Sequence, residues 1–328
     1  MTQSKSMDRG ISIIIPTLNR TKLVSLVLSK LLKQISLHDE ILVIVDPADS
    51  YQTFSRLRTQ FKSSNLKIIQ GTRKYNVSSL RNLGIRLSNN NYLALLDDDC
   101  VPTNSYVKNI RKILSKHESN IVFQGNFTNV VLKQNVFATT FTNSVDFHNY
   151  YFRNNIAFTS TPIQHLVVNN FFVNKSILNK YSIAFDENNY PTVGEQLDIS
   201  YKFQQHGIKL IGTSKVRVKH VKYQFGLKRL IKRSFLEGYV EKKLDYQYGA
   251  NKSVKKLFSE NFKKNQVNKI FSHIRYSLHN RENIFVIALS TLGYLAYLFG
   301  FLNALIAEHI HRLLRDLRLV RLSPHRSK

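Results

Sequence analysis

Three consecutive carboxylates, Asp97, Asp98 and Asp99, follow four apolar residues in the stretch LALLDDDCVP, Leu93 to Pro102. Adjacent like charges raise the cost of ionising one another, so the triplet calls for a cation. Hard oxygen donors suit Mg2+ or Mn2+, which keep waters and complete their shells with substrate phosphates. In an extended segment residues two apart point the same way, so Asp97 and Asp99 are expected to share a face while Asp98 turns aside. A solvated acidic turn fits the triplet equally well, and the choice rests on what surrounds it.

Further along, the chain offers Asp46 at the end of EILVIVD, Arg81 in VSSLRNLGIRLS, Glu195 and Asp198 in GEQLD, and His220 in RVKHVKY. Each has a plain structural alternative: Asp46 can cap a turn before Pro47, Arg81 can be a solvated helix residue, and His220 can sit on a basic surface. Glu195 and Asp198 are three apart, so on a helix both can face one cleft, where a helix N-terminus favours their charge; they can equally serve as caps.

The elements that must position these groups follow from hydrophobic pattern. ISIIIP (Ile11 to Pro16) and EILVIVD (Glu40 to Asp46) are continuous and β-branched, as strands buried on both faces are. Helical spacing marks Leu23 to Leu32 and Val77 to Ser88, and further strands are predicted at Leu66 to Gly71 and Tyr92 to Asp97. This is a βαβ series, hence an α/β domain with a mostly parallel, Rossmann-like sheet. Ligands collect beyond the carboxyl ends of such strands, where Asp46 and the acidic triplet lie. Beyond Pro102 the pattern is mixed, with helices at Tyr106 to Lys116 and Glu195 to Gln205, and strands near Ile121 to Gln124, Leu166 to Val173 and Val216 to Val221.

With 328 residues and 43% apolar content the chain can build a sizeable core, and its single cysteine, Cys100, excludes an internal disulfide framework and fits a reducing compartment. The polar opening MTQSKSMDRG is followed by too short an apolar run for a signal peptide. A formal net charge of +27, concentrated where lysine and arginine far outnumber acids between Lys202 and Arg281, implies an anionic partner. Nucleic acid, acidic lipid and phosphorylated substrate are the classes to separate. Ile284 to Ala307 is an uncharged apolar run long enough to cross a hydrocarbon core, and no recognisable RNA-binding motif is present, which favours an anionic membrane surface over nucleic acid. A buried core helix is the alternative. The basic, amphipathic Gly226 to Leu244 suits a lipid interface or a partner-binding helix.

The order of SIIIPTLNR, VIVD, SSLRNLGI, LLDDDCVP and FDENNYPTVGEQLDISYKFQQHGIKL resembles the family-2 glycosyltransferases of GT-A fold, over roughly Ile11 to His220. The resemblance implies an inverting, metal-dependent transferase using a nucleotide-diphosphate sugar and Mn2+ or Mg2+. It puts Thr17 and Asp46 at the donor base, Arg81 at the base or diphosphate side, Asp97 or Asp98 at the ribose, and Asp99 on the metal. Asp97 and His220 are further metal candidates. Family members usually read Glu-Asp-x-Asp at the later helix, whereas this chain has Glu195-Gln196-Leu197-Asp198; Gln196 cannot take a proton, so Glu195 is the expected base and Asp198 its substitute.

The expected acceptor is a saccharide or a lipid-linked sugar. A polyprenyl phosphate, whose oxygen needs no base, and a degenerate membrane-binding domain without activity are the alternatives. The expected layout is a disordered start (1–10), a GT-A domain (11–223), basic amphipathic helices (224–283), a single-pass or re-entrant membrane segment (284–307) and a basic tail (308–328), all at the cytoplasmic face of a membrane.

Overall fold

The structure is a computed structural model that describes residues 10–71, 76–116, 120–131, 159–163, 165–190, 193–222, 226–248 and 284–322. The expected disordered start (1–10) except Gly10, the whole of the stretch 249–283 and the end of the tail lie outside the described residues. The chain separates into two compact units, the first built on the N-terminal sheet and the second holding the long C-terminal helices.

In the first unit the elements run β1 (Ile11–Thr17), α1 (Thr21–Leu31), β2 (Glu40–Val45), α2 (Thr53–Gln60), β3 (Leu66–Gln70), α3 (Val77–Leu87), β4 (Tyr92–Leu96), β5 (Cys100–Pro102), α4 (Tyr106–Leu114), β6 (Ile121–Val131), β7 (Thr159–Pro162), β8 (Asn170–Asn174), α5 (Lys175–Lys180), α6 (Glu195–Gln205) and β9 (Lys209–Lys222). The sheet order is β3-β2-β1-β4-β8-β6-β9-β5, with β7 also on β9. The half containing β1 to β4 is parallel. The other half is mixed, because β8 runs against β4 and β6 while β9 runs with β6 and against β5 and β7. The architecture is a mixed α/β GT-A-like fold.

β1, β2 and β4 are buried along their whole length, which is why both faces of each are apolar. One face, with Ile13, Ile15 and Val43, packs in a core with Val27 of α1 and Tyr106 of α4. The other, with Ile14, Leu42 and Leu95, packs with Leu80 of α3 and Phe203 of α6. α3 starts in a capping box, Asn76 accepting from the Ser79 amide at 3.0 Å while the Ser79 hydroxyl accepts from the Asn76 amide at 3.0 Å. Gly84 lets this helix lie close on Ile14, where a Cβ would collide with the isoleucine side chain.

β4 stops at Leu96, one residue earlier than expected, and Asp97 to Cys100 form a turn closed by Cys100 N–H donating to the Asp97 carbonyl at 3.0 Å. Strand alternation therefore does not reach the acidic triplet, and the expected sharing of one face by Asp97 and Asp99 gives way to a turn geometry.

The second unit contains α7 (Leu227–Tyr248) and α8 (Ile284–Leu322). α8 is continuous well past Ala307 and runs unbroken through Gly293 and Gly300, so the re-entrant alternative to a single pass finds no bend at either glycine. Gly300 has a packing role instead: it lies against the backbone of Phe235, as Gly238 of α7 lies against that of Tyr297, so each helix admits the other at a distance no side chain permits. Ile287–Ile310 is long and apolar enough to cross a membrane.

Candidate functional site

The acidic turn is held by three cationic or imidazole groups. Arg20 Nη1 lies 2.8 Å from both Asp98 Oδ1 and Asp99 Oδ2, Arg81 Nη2 lies 2.7 Å from Asp97 Oδ1, and His220 Nε2 lies 3.1 Å from Asp99 Oδ1. Arg20 reaches the turn because Asn19 adopts a left-handed conformation, φ 57°, pinned by Asp49 accepting from the Asn19 amide at 2.7 Å. Burial works to lower the Arg20 pKa, but the charges of Asp98 and Asp99 outweigh it and the guanidinium stays firmly protonated. The last residue of SIIIPTLNR thus supplies the cation that the triplet demands. Its signal was that demand itself, together with its position three residues beyond the end of a buried strand.

Asp98 is buried and accepts from the Thr17 hydroxyl at 2.7 Å. Burial pushes its pKa up to about 7, against the opposing pull of Arg20 and the Thr17 bond and with Asp99 and Asp97 adding to the rise. A carboxyl with a raised folded pKa binds more protons folded than unfolded across the interval from about pH 4 to about pH 7. Its contribution to stability is therefore complete at acid pH and is lost as pH rises through that interval. We expect the wild-type fold, without metal or nucleotide, to lose more stability between pH 5 and pH 8 than Asp98→Asn does, as measured by urea unfolding at about those two values. Parallel pH profiles for the two proteins would contradict this.

Arg81, on α3, is buried and joins two distant segments. Besides Asp97 it approaches Glu195 Oε1 at 3.5 Å with Nη1 and packs over the Phe185 ring, 5.5 Å from its centroid. Asn82, the next residue, fixes that side of the site by donating to Phe185 O at 2.9 Å and Glu187 Oε1 at 2.8 Å. Glu195 begins α6 after Gly194, whose φ of 95° only glycine adopts readily. Glu195 is buried, its Oε2 without a partner among the described residues. Asp198 is also buried, but ion-paired with Lys202 Nζ at 2.7 Å.

Asp99, Cys100 and His220 form a candidate metal cluster, their ligand atoms all within 4.8 Å of one another. The pairing of Cys100 with His220 in register between β5 and β9 creates it. A carboxylate and an imidazole suit Mn2+; the soft thiol of Cys100 does not, and its side chain belongs to the apolar core. Asn169 provides a test of fit: its Nδ2 is 3.5 Å from His220 Nδ1, while its buried Oδ1 has no partner. A metal on Nε2 leaves the imidazole proton on Nδ1, and a flipped Asn169 amide accepts it with that Oδ1. The residues present fit a divalent cation.

The structure thus brings Thr17, Asp98, Asp99 and His220 together through Arg20, and Asp97 and Glu195 together through Arg81, the two sets adjoining where Asp97 precedes Asp98 in the turn. Asp97 faces Arg81 and lies outside the metal cluster. Asp46 lies at the neighbouring strand end, where its Oδ1 caps a turn by accepting from the Ala48 amide at 2.8 Å, and Asp198 is held by Lys202. Arg20 and Asn169 are the members that sequence reading did not single out.

Residues 12–182 match Glycosyl transferase family 2. Over 108 residues the chain is 32% identical to chondroitin synthase of Escherichia coli, a match covering 32% of this chain and 16% of that protein. Among solved structures, GalNAc-T7 in complex with UDP, GalNAc and Mn2+ shares the fold with a TM-score of 0.52 at 15% identity, over 65% of this chain and 44% of its own. TarS 1-349 of S. aureus covers 93% of this chain and 91% of its own at 16% identity, with a TM-score of 0.49. The chain therefore spans less than half the length of the first two of these relatives. A family match over more than half of the chain, on a sheet with this strand order, makes the chain a member of glycosyl transferase family 2.

Proposed function

We propose that the chain is an inverting glycosyltransferase that moves a sugar from a nucleotide-diphosphate sugar to a hydroxyl of a saccharide or lipid-linked acceptor. The observation that carries this is Arg81, whose two nitrogens tie Asp97, at the end of the sheet, to Glu195, at the start of α6. In this reading one guanidinium holds the donor-side and the acceptor-side carboxylate together. Thr17 and Asp46 take the base, Asp97 or Asp98 the ribose, and Asp99 with His220 would hold Mn2+ or Mg2+. When bound, that cation neutralises charge on the departing diphosphate.

Glu195 carries the proton chemistry. Its unpartnered Oε2 takes the acceptor proton while the acceptor oxygen bonds to the anomeric carbon, opposite the breaking bond to the diphosphate. The single displacement inverts the centre. Arg81, paired with both Asp97 and Glu195, orients Glu195 in this reading and is a positioning residue. Gln196, in place of a second acid, supports a second reading in which the acceptor is a polyprenyl phosphate that needs no base. The apolar helix α8 supports proximity to a membrane, and an anionic membrane surface suits the basic excess.

UDP-sugars and Mn2+, present as UDP and Mn2+ in the GalNAc-T7 structure, are the natural first probes. A donor at about a hundred times its dissociation constant stabilises the fold by about 2.7 kcal/mol. We expect at least one nucleotide-diphosphate sugar to raise the melting temperature only when Mn2+ is present. No shift with any donor of a broad panel, with or without metal, would overturn the reading.

A further inference from the structure

α8 has two distinct faces. Ser290, Gly293, Gly300 and Ala304 are buried, with Gly293 beside Leu230 and Ser234 of α7 and Gly300 against Phe235. Leu292, Leu295, Phe299, Leu302 and Ile306, again three and four residues apart, are exposed on another. A soluble surface does not carry a stripe of this size unpartnered.

α7 decides how the stripe can meet a bilayer. It packs beside the middle of the apolar window, Tyr297 donating to Glu241 Oε2 at 2.6 Å and Lys242 lying over the Phe301 ring at 5.6 Å from its centroid. If Ile287–Ile310 crossed the membrane, Glu241, Lys242 and the Arg233–Glu237 pair would enter hydrocarbon with it, which is costly for every charge. Crossing requires tearing α7 from α8. Lying in the interface requires nothing of the kind.

Charge complementarity identifies the occupant. Lys228 and Lys232, one turn apart on α7, line a shared groove with Ile231, Leu292, Leu295 and Phe299. Ammonium groups flanking an apolar stripe match phosphate headgroups above acyl chains. The helix also continues through Arg312, Arg315 and Arg318. A span would send these arginines to the far side of the bilayer from the lysines of α7, whereas an in-plane helix keeps both sets with the leaflet that positive charge prefers.

We propose that α7 and α8 form one monotopic unit whose α8 stripe lies in the plane of an anionic leaflet, with Lys228 and Lys232 on lipid phosphate. This rests on the membrane reading above and replaces both a span and a hairpin with a third arrangement. Ser253→Cys and Ser323→Cys bracket α8, and native Cys100 is buried. In sealed host membrane vesicles of known sidedness, an impermeant maleimide should label both introduced cysteines from the same side. Labelling from opposite sides overturns the proposal.

Flotation of the full chain with phosphatidylglycerol-containing vesicles should weaken about fivefold for Lys228→Gln and for Lys232→Gln at low salt, and stay unchanged on phosphatidylcholine alone. Leu295→Glu with Phe299→Glu should end flotation. A wild type that does not float and sediments as a dimer through this stripe also overturns the proposal, the stripe's occupant then being a second copy. Mn2+-dependent donor binding, followed by thermal shift in each variant, separates failure of lipid docking from failure of the transferase reading.

Discussion

Glu195→Gln is expected to lower turnover by about 10²–10⁴-fold while donor affinity survives, when compared with wild type on the same acceptor. The substitution keeps the shape of the side chain and leaves an amide oxygen to meet Arg81, now 3.5 Å from Oε1. What it removes is the ability of Oε2 to accept a proton, and Oε2 is the buried oxygen that no other group among the described residues engages. Asp198→Asn is the informative contrast. Asp198 is completely buried and paired with Lys202, which also donates to the Ala184 carbonyl at 2.9 Å, so the substitution forfeits one ion pair and is expected to lower stability modestly rather than the proton-transfer step. Full activity in Glu195→Gln would transfer support to a phosphate acceptor, whose attacking oxygen is already ionised.

The legible parts of the fold were those governed by local pattern. ISIIIP and EILVIV read as buried parallel strands because both of their faces are covered, and α6 was bounded correctly by an acidic first turn and by Gly207, which adopts φ 70°. α2, TFSRLRTQ, escaped notice because little beyond Leu57 gives it an apolar stripe. The site was legible in its residues more than in its contacts. His220 meets Asp99 only because β5 pairs with β9 across the sheet, and no periodicity reports a pairing at such a sequence separation. The triplet misled on facing because strand alternation was extended one turn too far, into residues that bend. α8 outran its apolar run because helix continuation depends on backbone propensity, which Leu and Arg satisfy as well as Ile and Phe do.

At Asp99 the expected loss is complete: Asp99→Asn should abolish transfer and leave the metal-free fold intact or slightly more stable. Removing one of three adjacent charges relieves their repulsion, and Arg20 keeps its second bond, to Asp98. A strongly destabilised variant would instead make Asp99 a structural residue. The same geometry says when metal can bind. In the free protein Arg20 holds Asp98 Oδ1 and Asp99 Oδ2 at 2.8 Å, so a cation entering beside His220, which faces the other Asp99 oxygen at 3.1 Å, must share the Asp99 charge with a guanidinium that repels it. A donor diphosphate offers Arg20 another anion, so wild type is expected to bind Mn2+ weakly alone and tightly with the nucleotide sugar. Arg20→Gln removes the competitor, and titration of free Mn2+ by its electron paramagnetic resonance signal, with no nucleotide present, should show roughly tenfold tighter binding than wild type. Mn2+ affinity unchanged by Arg20→Gln would mean that the arginine and the metal do not contend for the charge of the Asp99 carboxylate, and the dependence of metal on donor would then have to come from the phosphates alone.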